Sequence, residues 1–120
     1  MINFLQETIE AILDSGHQIN DVMFIGSSSG KYRIDWCKFE QLANFEYDNG
    51  YGGQEIASDL IIYFNDHTYI QRGEYDGSEW WEYNVPKIFN PEDHYETFDK
   101  LTGGNSWRTV EELQNEEEEY

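Results

Sequence analysis

Residues 68–85 read TYIQRGEYDGSEWWEYNV, and no other stretch leaves the backbone so few options. An Asp-Gly pair between two alternating runs is among the strongest short-range signals for a two-residue hairpin turn. With Asp76-Gly77 as that turn, counting outward fixes the register. Tyr75 faces Ser78, Glu74 faces Glu79, Gly73 faces Trp80, Arg72 faces Trp81 and Ile70 faces Tyr83. A tryptophan opposite a strand glycine covers bare backbone. Arg72 opposite Trp81 allows a cation–π contact worth about 0.5–1 kcal/mol at an exposed site. Glu74 opposite Glu79 is unfavourable, because facing like charges repel. Either a cation or a partner's Lys or Arg sits between the two carboxylates, or Arg72 lies diagonally near and screens both. One tryptophan is expected in the core and the other on the outer sheet face.

The rest of the chain supplies elements for this hairpin to pack against. INFLQETIEAILDSG has apolar residues Leu5, Ile9, Ile12 and Leu13 on one helical stripe. Asn3 can cap its start, and Gly16 stands where a helix ends in a left-handed residue. DVMFIG (21–26) reads as a strand, with KYRID as its returning partner. Asp35 caps a short helix over 35–44 with Trp36, Phe39, Leu42 and Ala43 inside, and Cys37 is expected to be a buried thiol. Asn49-Gly50 and Gly52-Gly53 are turn signals. DLIIYF is a continuous apolar run suited to a central strand at 59–64, ahead of strands 68–75 and 79–85. Pro86 ends the sheet, and Asn90-Pro91 predicts a short helix. Thr109 with Glu112 forms a capping box for a last helix.

The fold class is therefore α+β. A single domain over residues 1–113 holds an antiparallel sheet of about four strands, an N-terminal helix at 3–14 and short flanking helices. Residues 114–120 form an acidic tail, expected to fray and to contribute little. The predicted core is Leu5, Ile9, Ile12, Phe24, Trp36, Phe39, Leu42, Leu60, Ile62 and Phe64.

Charge constrains function. The formal net charge is -18. Residues 1–60 carry three Lys or Arg against ten Asp or Glu, and residues 61–120 carry four against fifteen, so both halves are acidic. Disordered acidic chains lack aromatics, whereas 17% of this one is Phe, Trp or Tyr. A folded anionic surface repels nucleic acid and anionic membrane and attracts basic protein surfaces. A single cysteine precludes an internal disulfide and fits a reducing cytoplasm. The opening residues carry no basic n-region and no apolar run reaches membrane length, so neither a leader nor a membrane span is expected.

Catalytic and cofactor signals are weak throughout. His17, His67 and His94 lack metal-ligand spacing and read as surface residues. The glycine-rich GSSSG and GYGGQE lack the Lys and Ser/Thr of a phosphate loop. Asp76, Ser78 and Glu79 are too few ligands for a hard cation. No cofactor, no metal and no enzymatic activity are expected.

FEYDNGYGGQEIASDLIIYF followed by YDGSEWWEY resembles a group of small proteins from phages and mobile elements of Gram-positive bacteria. The likeness runs from about residue 36 to residue 83, and YDGSEWWEY is its most specific part. It brings no catalytic residues. Small acidic proteins of that context often inhibit host defence, so the resemblance implies an anti-defence role of the anti-CRISPR or anti-restriction type.

Two binding functions fit these electrostatics. One is a nucleic-acid mimic that occupies the basic groove of a host nuclease, either a CRISPR effector or a restriction enzyme, in the host cytoplasm. The other is an immunity or antitoxin protein that neutralises a basic toxin nuclease. An acidic surface serving solubility alone is a third reading. The expected partner-binding residues are Asp48, Glu74, Asp76, Glu79, Trp80, Trp81, Glu82, Glu92, Asp93 and Glu96, with Tyr83 as a further aromatic anchor. On this reading, Glu74→Lys with Glu79→Lys leaves the fold intact and weakens binding.

Overall fold

The structure is a computed structural model, described over residues 2–47, 56–75, 78–84, 89, 92–102 and 109–115. Its elements in chain order are β1 (Ile2–Asn3), α1 (Phe4–Asp14), β2 (Val22–Ser27), β3 (Arg33–Ile34), α2 (Trp36–Leu42), β4 (Glu46–Tyr47), β5 (Leu60–Phe64), β6 (Tyr69–Tyr75), β7 (Ser78–Asn84) and α3 (Val110–Gln114). A single 3₁₀ turn at Ile19–Asp21 leads into β2.

Helix α1 begins as the sequence predicts. Asn3 is extended, and its Oδ1 accepts from the Gln6 amide at 2.9 Å. The helix ends in a Schellman motif: the His17 amide donates to Ile12 O (3.1 Å) and the Gly16 amide to Leu13 O (3.0 Å), with Gly16 at φ +90°. The buried stripe is Phe4, Thr8 and Ile12 at i, i+4 and i+8. Leu5 and Ile9 are half-buried, and Leu13 is 55% exposed, so the inner face is rotated from the one expected. Phe4, at the helix start, anchors that rotation by touching Phe39, Phe45, Tyr47 and Trp81.

Five antiparallel strands pair in the order β3-β2-β5-β6-β7, and β1 pairs with β4 in a separate two-stranded sheet. β5 is the central strand, and both of its faces are covered. Leu60, Ile62 and Phe64 enter the main core with Ile12, Ile25, Phe39, Ile70, Val110 and Leu113. Ile61 and Tyr63 turn the other way and pack with Phe24, Tyr69 and Phe89. A strand covered on both faces cannot alternate with polar residues, which explains the unbroken LIIYF run. Of the other core residues expected, Phe24 is buried in this second cluster, while Trp36 and Leu42 pack half-buried against the first. Tyr47, Ile56, Phe98 and Leu101 complete the main core without having been anticipated.

Asp35 caps α2 through Oδ1 on the Lys38 amide (2.9 Å). Cys37 points outward and is exposed, not buried, because Phe39 and Ala43 take the inner face. The capping box at α3 forms both bonds, Glu112 N to Thr109 Oγ1 (3.2 Å) and Thr109 N to Glu112 Oε1 (3.1 Å). The helix predicted after Asn90-Pro91 does not form over residues 92–100. Tyr32 instead makes a parallel bridge to Glu96, with Glu96 N on Lys31 O (2.7 Å) and Arg33 N on Glu96 O (2.8 Å). The free edge of β3 takes backbone bonds that a helix would have kept for itself. Asp76-Gly77, Asn49-Gly50, Gly52-Gly53, Pro86 and Asn90-Pro91 lie outside the described residues. Among the described residues no helix is long and apolar enough to cross a membrane.

Candidate functional site

The hairpin pairs in the counted register, from Tyr75 opposite Ser78 to Ile70 opposite Tyr83. Cross-strand partners share a face. Ile70 is buried in the main core, so parity carries Arg72, Trp81 and Glu79 to that side. Gly73, Trp80 and Glu82 face outward, where a Cβ on Gly73 would stand 2.7 Å from Trp80 Nε1 and 2.6 Å from Glu82 Oε2.

On the inner side lies a buried ionic cluster. Arg72 and Glu79 are 4% and 2% exposed. Arg72 Nη2 donates to Tyr47 Oη (2.9 Å) and to Glu79 Oε1 (3.3 Å), while Nη1 lies 3.7 Å from Glu7 Oε2. Tyr47 Oη donates to Glu7 Oε1 at 2.6 Å, and the Ile56 amide donates to Glu79 Oε1 at 3.2 Å. The guanidinium lies between rings, 4.9 Å from Trp81, 5.2 Å from Phe4 and 5.8 Å from Tyr47. Burial raises the Glu7 carboxyl above its usual range, against the opposing pull of Arg72 and the Tyr47 hydroxyl. Burial likewise pushes the Tyr47 phenol well up.

This arrangement corrects the expected contact set. Glu79 is an interior residue that closes the fold, and a partner cannot reach it. Arg72 supplies its counter-charge, as one of the two sequence readings allowed. Glu79→Lys would place a second cation beside Arg72 in the core, so the double charge reversal would unfold the hairpin. The Glu74 side chain, Asp48 and Asp76 lie outside the described residues.

The remaining predicted residues do not form one row. Trp81 is half-buried, stacked 5.9 Å from Phe4, with Nε1 donating to Thr8 Oγ1 (3.1 Å). Trp80 is half-buried on the outer face, and its Nε1 donates to exposed Glu82 (3.0 Å). Tyr83 is 54% exposed. Glu92, Asp93 and Glu96 are exposed, with Glu96 Oε2 2.8 Å from His94 Nε2. Glu82 belongs to the β7 end of the sheet and Glu96 to the β3 end. Five strand spacings separate them, about 24 Å.

The surface as a whole is more uniform than any row. Exposed carboxylates occur on α1 (Glu10, Asp14), around α2 (Asp35, Glu40), at Glu46, Asp66, Glu82 and Asp99, and on α3 (Glu111, Glu112). Among the described residues the only exposed Lys or Arg is Lys31, which sits 3.6 Å from Glu111. Arg33 is 5% exposed, its guanidinium 4.7 Å from the Phe24 ring and 5.2 Å from Tyr95, and its Nε donates to Gly30 O (2.8 Å). Composition reports the net charge but not this inward sorting of the arginines.

His17 also departs from expectation. It is buried, stacked flat on Phe64 at 3.8 Å, with Nδ1 3.0 Å from Ser15 Oγ and Nε2 3.0 Å from Asp66 Oδ2. The order Ser-His-Asp mimics a nucleophilic triad, but Ser15 Oγ gives its proton to Ile12 O at 2.7 Å. The network ties the α1 terminus to the β5–β6 turn. Hydrogen bonds from Thr68 and His17 hold the Asp66 carboxyl down at about 2. The described residues contain no group of three or more His, Cys, Asp or Glu placed to hold a metal ion. No protein-family model, curated protein or solved structure matches the chain.

Proposed function

We propose that the protein is an anionic competitor of nucleic acid, which occupies a basic groove on a nucleic-acid enzyme of the host cytoplasm. A CRISPR effector or a restriction enzyme is the expected target, and the protein itself binds no nucleic acid. The observation that carries the reading is the sorting of charge: among the described residues both arginines are inside, Lys31 is the one exposed Lys or Arg, and exposed carboxylates occur on every side of the fold. A groove evolved for a polyanion is lined with Lys and Arg, and carboxylates held on a packed frame meet it without the ordering cost of a flexible acidic chain. The dimensions support the match, since extents of 37 × 31 × 24 Å compare with the roughly 34–36 Å of one duplex turn.

The test reverses exposed charges in three separate patches: Glu10→Lys with Asp14→Lys, Glu82→Lys alone, and Glu92→Lys with Asp93→Lys and Glu96→Lys. Each variant is assayed for inhibition of purified candidate nucleases across a salt series. At least one patch should lose inhibition, and its residual binding should depend less steeply on salt than wild type. Wild-type inhibition by all three variants, or binding insensitive to salt, would refute the reading.

A further inference from the structure

Beside β3 lies a cleft of about 440 Å³, within the size range of small-molecule sites. Phe24, Arg33 and Ile34 form its buried lining, and Met23 and Tyr95 its open sides. Met23 and Tyr95 are 43% and 46% exposed, so two of the few large apolar side chains left in solvent border the same hollow. The Tyr95 ring lies 5.2 Å from the Arg33 guanidinium, which presents a planar cationic surface under an aromatic one.

Lys38 gives the cleft its polarity. Its Nζ donates to Thr97 Oγ1 at 3.1 Å, and no carboxylate among the described residues comes within 4.0 Å of it. In a chain with 25 acids and 7 Lys or Arg, an amine left to a neutral hydroxyl is unexpected. Asp35 also lines the cleft, but its Oδ1 caps α2 on the Lys38 amide. The cleft offers an apolar slot bordered by the Lys38 ammonium and the buried Arg33 guanidinium, with the single Asp35 carboxylate engaged at the helix cap.

We propose that this cleft binds a small aromatic carboxylate, its ring between Met23 and Tyr95 and its carboxylate on the Lys38 ammonium. A ring fits the polarizable Met side and the Tyr face. The carboxylate supplies the charge-assisted acceptor that Lys38 lacks. The site does not rest on the anionic-competitor reading, although Asp35 of the anionic surface borders the cleft.

Benzoate is the probe, with benzamide as its uncharged isostere and acetate as the ringless anion. Amide shifts of ¹⁵N-labelled full-length protein are followed during titration. Benzoate should shift Met23, Lys38 and Tyr95 saturably, and bind about tenfold or more tighter than benzamide, as expected for one charge-assisted hydrogen bond. Acetate should give no saturable shift. Lys38→Met should abolish the preference for benzoate over benzamide, and Tyr95→Ala should weaken both, with circular dichroism and urea midpoint unchanged in each variant. Equal binding of benzoate and benzamide, undiminished benzoate affinity in Lys38→Met, or no saturable shift with benzoate would overturn the assignment.

Discussion

Replacing Glu79 by Ala is the most direct challenge to the buried cluster. The side chain is fully buried, accepts from Arg72 Nη2 at 3.3 Å and holds the Ile56 amide at 3.2 Å. Removing one partner of a buried ion pair costs about 3–5 kcal/mol, because the remaining charge stays in the interior. Arg72 keeps Glu7 at 3.7 Å and the Tyr47 hydroxyl at 2.9 Å, which favours the lower part of that range. The orphaned Ile56 amide adds about 1 kcal/mol or more. A total near 4 kcal/mol shifts the urea midpoint by about 2 M at an m-value of about 2 kcal/mol/M. The melting temperature should fall by about 15 °C. Glu79→Gln keeps an acceptor for both donors and should cost less. The double variant Arg72→Met with Glu79→Leu should cost less than the Arg72→Met and Glu79→Leu single variants added, since each single strands a charge of the pair that the double removes. Urea unfolding followed by circular dichroism measures each variant, the two matching singles included. A Glu79→Ala effect under about 0.5 kcal/mol, or a double variant equal to the two singles added, would refute the cluster.

Glu7 has a folded pKa above its unfolded one, so the native state holds more protons across that interval and stability falls as pH rises through it; Glu7→Gln should flatten this slope in urea titrations at stepped pH. Asp66 titrates in the opposite sense: its stabilisation is full above the ordinary carboxylate value and is lost as pH falls through about 2, and Asp66→Asn should remove that acid-side loss. Gln114 bonds Lys100 O (2.9 Å), Lys100 N (3.1 Å) and Asp99 N (3.3 Å), so the domain extends past the boundary expected at residue 113. Truncation after Leu113 should cost about 1–3 kcal/mol in thermal unfolding, and truncation after Asn115 almost nothing.

The hairpin register was legible because a two-residue turn leaves only one pairing, and the register fixes every later contact. Its facing was legible too: with Ile70 inside, period-two alternation places Arg72 and Glu79 inside as well. The unfavourable Glu74–Glu79 pairing is a consequence of that parity, which turns its face of the hairpin, Glu79 with it, toward the core. Helix α1 was legible in its caps, while the rotation of its face depended on Phe4, whose partners come from distant parts of the chain. The helix after Pro91 illustrates the opposite limit. A correct local signal yielded to the open edge of β3, which only the assembled sheet creates. His17 was out of reach for the same reason, since its stacking on Phe64 requires the completed sheet.

The inward arginines bear on function through where charge sits, beyond how much there is. Arg72 neutralises carboxylates in the core, and in doing so it takes a cation away from the surface that a partner would meet. Field strength at a partner's groove depends on the outer charges, because interactions beyond about 8–10 Å are largely screened at physiological salt. The double variant Arg72→Met with Glu79→Leu keeps the net charge at -18 and leaves every exposed carboxylate in place. Glu10→Lys with Asp14→Lys changes the outer shell while leaving the core alone. If the protein acts as an anionic competitor, inhibition measured where the variants are folded ignores the core change and falls in at least one of the three surface patches, this one among them. The reverse pattern, with inhibition lost in the core variant and kept in all three surface variants, would tie activity to the buried cluster.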